Sequence, residues 1–222
     1  MAETLNDILT RIEAVAGQSL DVTEGDDDFN LRRSYVNRAQ QDWAEKYDWP
    51  QLYTEYLGNT SLGTGNATIT LPSDFRKLAG YPKFSDELNT YQYPEINPTD
   101  RDLFTSSDKY VYKLGDLKNG YNLIVNPAPL VSGASIFIPY YRFPASLVSG
   151  SNVSECPNSN YLVQQGLYYY FLANEDARFQ DARSEAEQIL ANMLESSEAR
   201  GAGYDNSVPN VDDKAGFKWG KS

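Results

Sequence analysis

Residues 43–56, WAEKYDWPQLYTEY, mark the point where the hydrophobic pattern changes from a helical period to a strand period. Before them, apolar residues recur every four positions across residues 31–47, which predicts an amphipathic helix that the Trp49-Pro50 pair ends. After them, residues 52–56 carry the aromatic and β-branched side chains that strands favour. The sequence therefore predicts a helical part followed directly by a β part.

A further helix is predicted near the N-terminus. Apolar residues recur there at spacings of three and four from Leu5 to Ala16. We expect Thr4 to cap the start of this helix and Gly17 to end it. The helical part of the chain therefore begins with two short or medium helices in succession.

Strand-like runs fill the middle third of the chain, at residues 52–56, 67–71, 110–114, 121–125 and 135–141. Glycine and asparagine at 63–66 and 118–121 predict two hairpin turns, because these residues accept the positive φ of tight turns. Residues 72–78, PSDFRKL, predict a single helical turn capped by Ser73 or Asp74. Residues 81–98 predict a long ordered loop. The middle third is therefore predicted to be an antiparallel β unit.

Helical periodicity returns after Asn160 and continues to Gly201-Ala202-Gly203. A helix of about 40 residues would be roughly 60 Å long, which exceeds what a globule of this size needs. Two alternatives follow: the helix breaks near residues 174–176, or it projects along a larger assembly. Residues 168–171, YYYF, place two of their four aromatics on the apolar face, which favours packing over a stacking platform for ligands.

The predicted fold class is α+β. Helices at the N-terminal and C-terminal ends, residues 1–50 and 151–203, are expected to form one discontinuous helical bundle. An antiparallel β domain, residues 51–150, is inserted between them. Residues 204–222 have no periodicity and are predicted to be an extended C-terminal tail.

Composition excludes several classes of function. The chain of 222 residues has a net charge of −12, which argues against specific binding of nucleic acid through its phosphates. It has no histidine, so the usual general base, zinc ligand and nucleophile pairs are missing, and it has one cysteine, Cys156. The run Asp26-Asp27-Asp28 lacks the ligand spacing of a calcium loop and is interpreted as helix capping. We predict no catalytic residue, no cofactor and no metal site.

The expected compartment is a cytoplasm. No stretch approaches the roughly 20 apolar residues that span a bilayer, so no membrane partner is predicted. The first residues include acidic side chains where a signal peptide would carry basic ones.

The order of several short motifs resembles that of a known family. These are NRAQQDW at 37–43, Trp49-Pro50 before a hairpin, LPSDFRKL at 71–78, VNPAP at 125–129, YYR at 140–142 and then the tyrosine-rich helix. Together they resemble the head-to-tail adaptors of tailed bacteriophages, also called connector, head-completion or tail tubular protein A-like proteins. The resemblance covers the chain up to the tail, and its helical bundle with a β insertion agrees with the fold predicted from the residues.

The resemblance implies a structural protein of the virion neck that is made in the host cytoplasm. Its partners would be the portal protein, a tail nozzle or tail tube protein, and further copies of itself in a ring that is commonly dodecameric. The ring would join the capsid to the tail and continue the channel through which DNA passes, without binding DNA specifically.

Two sets of residues are candidate contact sites. In this family a C-terminal extension often reaches toward the portal, and the aromatics Phe217 and Trp219 lie in an aperiodic tail with no core to join, so they are predicted portal anchors together with Lys218 and Tyr204. Arg32, Arg33 and Arg38 lie on or beside the flank of the second helix and are predicted to contact a neighbouring subunit.

Two other functions stay open at this stage. A virion peptidoglycan hydrolase would need only a pair of carboxylates, which 31 acidic residues always allow, although no motif nominates the pair. A tail-associated protein that binds a glycan or receptor could use the tyrosine-rich β unit and the segment at 81–98 as a stacking surface.

Overall fold

The computed structural model describes residues 3–17, 24–60, 67–85, 89–127 and 134–203. Its helices are α1 (Leu5–Ala16), α2 (Asp27–Lys46), α3 (Ser159–Ala173) and α4 (Phe179–Gly203). Its strands are β1 (Tyr53–Thr60), β2 (Ala67–Thr70), β3 (Phe75–Leu78), β4 (Lys83–Ser85), β5 (Thr90–Gln92), β6 (Tyr110–Asp116), β7 (Gly120–Asn126) and β8 (Ala134–Arg142). This confirms the α+β class with an antiparallel β region between N-terminal and C-terminal helices. The predicted tail, residues 204–222, lies outside the described residues.

The chain divides into two compact units. Residues 1–39 and 147–222 form the first, here called the helical unit, and residues 40–146 form the second, here called the β unit. The division falls within α2. The domain boundaries that we inferred from the sequence stay a prediction.

Helix α1 has the ends that its sequence predicts. The Thr4 hydroxyl accepts a hydrogen bond from the Asp7 amide at 3.3 Å, and the Asp7 carboxylate accepts one from the Thr4 amide at 2.9 Å. This reciprocal capping box satisfies two amides that the helix itself leaves unpaired. Gly17 ends the helix in the left-handed region, at φ 76°.

Helix α3 lies at the centre of the helical unit and packs against both earlier helices. Gly166 makes this possible, because a Cβ at this position would lie 2.8 Å from Cδ1 of Ile12 on α1 and 3.9 Å from Cγ2 of Val36 on α2. Residues on one face of α1 are buried there: Leu5, Ile8, Leu9 and Ile12. The N-terminal and C-terminal helices therefore share one core.

The C-terminal helix is interrupted near residues 174–176, which is one of the two alternatives predicted from the sequence. Helix α3 ends at Ala173, Glu175 takes a positive φ of 54°, and α4 begins at Phe179. The Asp176 carboxylate accepts hydrogen bonds from the Arg178 guanidinium and from the Arg178 amide, which fixes the corner between the helices. The alternative of one continuous projecting helix is wrong.

The β unit contains two antiparallel sheets. Strand β8 is central in the larger sheet, where it pairs with β1 on one edge and with β4 and β3 on the other, while β5 pairs with β4. The smaller sheet has the order β2-β7-β6. Apolar residues from both sheets meet in one buried cluster that includes Phe75, Phe84 and Leu123.

One of the two predicted hairpins is correct. Strands β6 and β7 pair up to Asp116 and Gly120, and the Asp116 carboxylate accepts hydrogen bonds from the amides of Lys118 and Asn119, each at 2.8 Å. The turn predicted at residues 63–66 lies outside the described residues, but the strands that flank it do not form a hairpin with each other. The strands on either side of it belong to different sheets, since β1 pairs with β8 and β2 pairs with β7.

Residues 72–78 do not form the helical turn that the sequence predicts. Residues 75–78 are strand β3, and Phe75 is 1% exposed in the core of the β unit. Asp74 does not cap a helix. Its carboxylate accepts a hydrogen bond from the hydroxyl of Tyr140 on β8 at 3.1 Å. Burial, together with the nearby Asp74 carboxylate, raises the pKa of Tyr140 to about 12, so this hydroxyl remains a donor at neutral pH.

The long loop predicted at residues 81–98 is wrong in part. The segment contains the paired strands β4 and β5, and Phe84 and Tyr93 are buried with their ring centroids 4.7 Å apart. Each of these strands is only three residues long, which is too short to show a strand period. The tyrosine and proline residues around them favoured the interpretation as a loop.

We expect Phe75→Ala to lower the free energy of unfolding by about 3–5 kcal/mol, because it removes a fully buried aromatic ring and leaves a cavity. Urea denaturation followed by circular dichroism measures this loss. The matched control is Phe104→Ala, which deletes the same ring from a position that is 40% exposed and should cost about 1 kcal/mol or less. Equal losses from the two variants would contradict the assignment of Phe75 to the core.

Candidate interaction site

The three arginines predicted at a subunit interface lie on α2, but in different environments. Arg32 is only 8% exposed, and its Nη1 lies 3.4 Å from the Glu13 carboxylate on α1. Its guanidinium also lies 5.8 Å from the ring centroid of Tyr170 on α3. Arg32 therefore links three helices of its own subunit.

Glu13 is the acidic partner of Arg32. Burial raises the pKa of the Glu13 carboxyl, and the Arg32 guanidinium partly offsets this effect. The Arg32 guanidinium therefore favours the charged form of a carboxyl group that burial disfavours.

Arg33 and Arg38 extend from opposite flanks of α2. Arg33 is half-buried and donates from Nη1 to the carbonyl oxygen of Val148 at 2.7 Å. Arg38 is exposed, and its guanidinium stacks on the Tyr169 ring with 4.1 Å to the centroid. Tyr35 in turn stacks on Tyr169 at 6.4 Å. The structure gives these arginines contacts within the subunit, and their role in a subunit interface stays a prediction.

The tyrosine-rich stretch on α3 divides between core and surface contacts. Tyr169 and Phe171 are buried, whereas Tyr168 and Tyr170 are partly exposed. Arg178 lies over Phe171 at 4.3 Å to the ring centroid. These rings pack against arginines of neighbouring helices, in agreement with the packing role inferred from their spacing.

The predicted portal anchors, Tyr204, Phe217, Lys218 and Trp219, lie outside the described residues. Their assignment stays a prediction.

A cleft in the β unit was not predicted from the sequence. It has a volume of about 490 Å³ and is lined by Gln41 and Glu45 of α2, by Ser73 and Asp74, by residues 142–146 and by Leu117. Its lining includes both polar and apolar side chains, and it contains two carboxylates, those of Glu45 and Asp74. No sequence motif marks this site, because its lining comes from four separate segments.

The outer edge of β1 is a second surface that sequence reasoning missed. Strand β1 is eight residues long and is the last strand of its sheet, so among the described residues only β8 pairs with it. Tyr53 and Leu57 on this strand are 42% and 70% exposed. The composition of residues 52–56 predicted a strand here. The position of β1 at the edge of the sheet follows only from its pairing with β8.

The described residues give no indication of a metal or redox centre. Within them, no group of three or more metal-ligating side chains comes together. Burial raises the pKa of the Cys156 thiol to about 12, which keeps it protonated and unreactive at neutral pH. Among the helices that the structure describes, none combines the length and apolar character needed to cross a bilayer.

The described architecture is a helical bundle with an inserted antiparallel β unit, and it presents an exposed arginine on α2 and an exposed strand edge on β1. The model of the SU10 adaptor protein family matches residues 3–211, and the chain belongs to that family. The match supports a structural role as a phage adaptor and a place in the virion, in agreement with the resemblance seen in the sequence; the subfamily stays a prediction. No curated protein matches the chain.

We expect Arg32→Ala to lower the free energy of unfolding by about 2 kcal/mol at neutral pH, because it leaves the partly buried Glu13 carboxylate without its cation. Urea denaturation at several pH values measures the effect. Glu13 has a raised pKa in the folded state, so its titration favours folding at low pH and opposes it as the pH rises through that pKa. The loss caused by Arg32→Ala should therefore shrink as the pH falls to about 4.

The matched control is Arg38→Ala, which removes an exposed arginine from the same helix and should cost about 0.5–1 kcal/mol at any of these pH values. A loss for Arg32→Ala that does not change with pH would contradict its pairing with Glu13.

Proposed function

We propose that this protein is a head-to-tail adaptor that forms a ring beneath the portal, joins the capsid to the tail and continues the DNA channel. The observation that carries the proposal is membership of an adaptor family over residues 3–211 of a 222-residue chain. The ring form, the portal and the channel go beyond that observation and are inferred from the resemblance of the whole layout to phage adaptors.

The charge of the chain supports a place beside moving DNA. At a net charge of −12, a ring of such subunits would repel the phosphate backbone. A channel wall that does not hold DNA lets the duplex slide through it. The neck of the virion is the location that this role requires.

Binding and not catalysis is the proposed chemistry. Two surfaces of the β unit, the β1 edge and the cleft around residues 142–146, offer places where a tail protein could dock. An exposed strand edge presents unpaired amides and carbonyls that accept an extended segment from a partner. The helical unit, with its exposed Arg38, is the proposed location of contacts between copies.

The hydrolase and glycan-binding alternatives make different predictions. A hydrolase would place its two carboxylates in a cleft, and Glu45 and Asp74 do line one cleft in the β unit. Asp74, however, accepts a hydrogen bond from Tyr140, which gives it a role in holding the sheet. Clearing of a peptidoglycan suspension that is lost in Glu45→Gln would favour the hydrolase, and a positive glycan screen would favour receptor binding.

Native mass spectrometry and negative-stain microscopy test the adaptor function directly. The protein is measured alone and after mixing with the portal ring of its phage. Rings, or portal rings that carry copies of this chain, are the expected result. A protein that remains a monomer in the presence of the portal would overturn the proposal.

Deletion of residues 204–222 should leave the fold intact and weaken attachment to the portal, because we propose that Phe217 and Trp219 anchor this tail. Trp219→Ala alone should cost about 2 kcal/mol of binding free energy if its ring is buried at the contact. A pull-down with the portal measures attachment, and thermal unfolding checks the fold. Val211→Ala, a small change in the same tail, is the control, and attachment that the deletion leaves unchanged would refute the anchor.

A further inference from the structure

Most arginines of the helical unit are already paired within the subunit. Four ion pairs hold them: Arg11 with Glu3 at 2.8 Å, Arg32 with Glu13 at 3.4 Å, Arg178 with Asp176 at 2.6 Å and Arg183 with Glu187 at 2.9 Å. Within the part of the unit that the structure describes, Arg33 and Arg38 have no carboxylate at salt-bridge distance. Arg33 donates a hydrogen bond to a backbone carbonyl, so among the arginine side chains that the structure describes in this unit, Arg38 is the exposed one that can bind an outside carboxylate.

The Tyr169 ring orients Arg38 for such a contact. The guanidinium lies 4.1 Å from the centroid of this ring, and Tyr169 is itself buried on α3. An arginine stacked on an aromatic face keeps its edge donors available for a carboxylate. The Arg38 side chain loses little further conformational entropy when it binds, because one face of its guanidinium already rests on the Tyr169 ring.

Helix α4 carries a complementary stripe. Its buried positions, Ala182, Ala186 and Met193, form one narrow face. On a flank away from that face, exposed polar residues recur at i, i+4, i+7, i+11 and i+14: Asp181, Glu185, Gln188, Asn192 and Glu195. This acidic stripe is about 21 Å long at 1.5 Å per residue. Its three carboxylates have no ion pair among the described residues.

Charge limits how two copies can approach each other. Each chain carries a net charge of −12, so copies repel unless their contact places a cation on an acidic surface. Arg38 on α2 and the acidic stripe on α4 are different surfaces of the same unit. A contact between different surfaces is heterologous, and it generates a ring when its rotation closes.

We propose that Arg38 of one copy binds the acidic stripe of α4 in the next copy, at Asp181 and Glu185. The inference rests on the proposed ring and names the interface that closes it. Asp181 and Glu185 are one helical turn apart, so the planar guanidinium reaches either carboxylate from one position. The occupant of each surface is thus a second copy of this chain.

Charge reversal tests the pairing. We compare Arg38→Glu, Glu185→Arg and the chain that carries both substitutions, each mixed with the portal ring and counted by native mass spectrometry. Each single reversal places like charges in every contact and should lower the yield of rings roughly tenfold or more. The double reversal restores opposite charges at every contact and should recover the yield of the original chain.

Controls separate this inference from the function it rests on. Arg101→Glu changes the net charge by the same amount at an exposed position of the β unit and should leave ring formation unchanged. Thermal unfolding of each variant checks that it folds, and Arg38→Gln provides a milder change that also removes the cation. If the original chain forms no ring, the proposed function and this inference both fail. If it forms rings and Arg38→Glu or Arg38→Gln forms them equally well, or if the double reversal does not recover them, this inference alone fails.

Discussion

The antiparallel pairing of β1 with β8 is the contact on which the architecture of the β unit depends. It joins the first strand of the unit to the last, with Tyr53 opposite Tyr141 and Thr60 opposite Ala134. Because β1 is the first strand after α2 and β8 is the last strand before α3, this pairing places the first and last strands of the unit side by side. Adjacent first and last strands are typical of a unit that is inserted within another domain. Strand β8 then positions β3 and β4, whose Phe75 and Phe84 complete the core.

The helical unit depends on the close approach of α3 to α1 and α2 and on ion pairs between its own side chains. Gly166 lets α3 contact α1 and α2, and the Arg32 ion pair with Glu13 joins the first two helices beneath Tyr170. Using arginines inside the subunit leaves the surface strongly acidic. In the ring that we propose, the exposed cations would determine which surfaces of two copies can meet.

Several features were predictable because they depend on neighbours in the sequence. The ends of α1, the hairpin at residues 118–121 and the break after α3 each follow from side chains that bond to backbone groups within a few positions. The errors have a shared cause. Residues 72–78 have local helix-capping signals, and 63–66 have hairpin signals, yet the strands beside them pair with partners more than 50 positions away. Long-range pairing and burial outweigh local preference when they bury a ring such as that of Phe75.

The sequence by itself determined the α+β class, the placement of a β region between N-terminal and C-terminal helices, the lack of histidine and the resemblance to phage adaptors. These follow from periodicity, composition and the order of local motifs along the chain. Only the tertiary structure decided that β1 is an edge strand, that four segments line the cleft, and that Arg32 is buried on Glu13 while Arg38 is exposed on Tyr169. The three α2 arginines are alike in the sequence, and they differ only because packing places a carboxylate, a carbonyl or an aromatic ring beside each one.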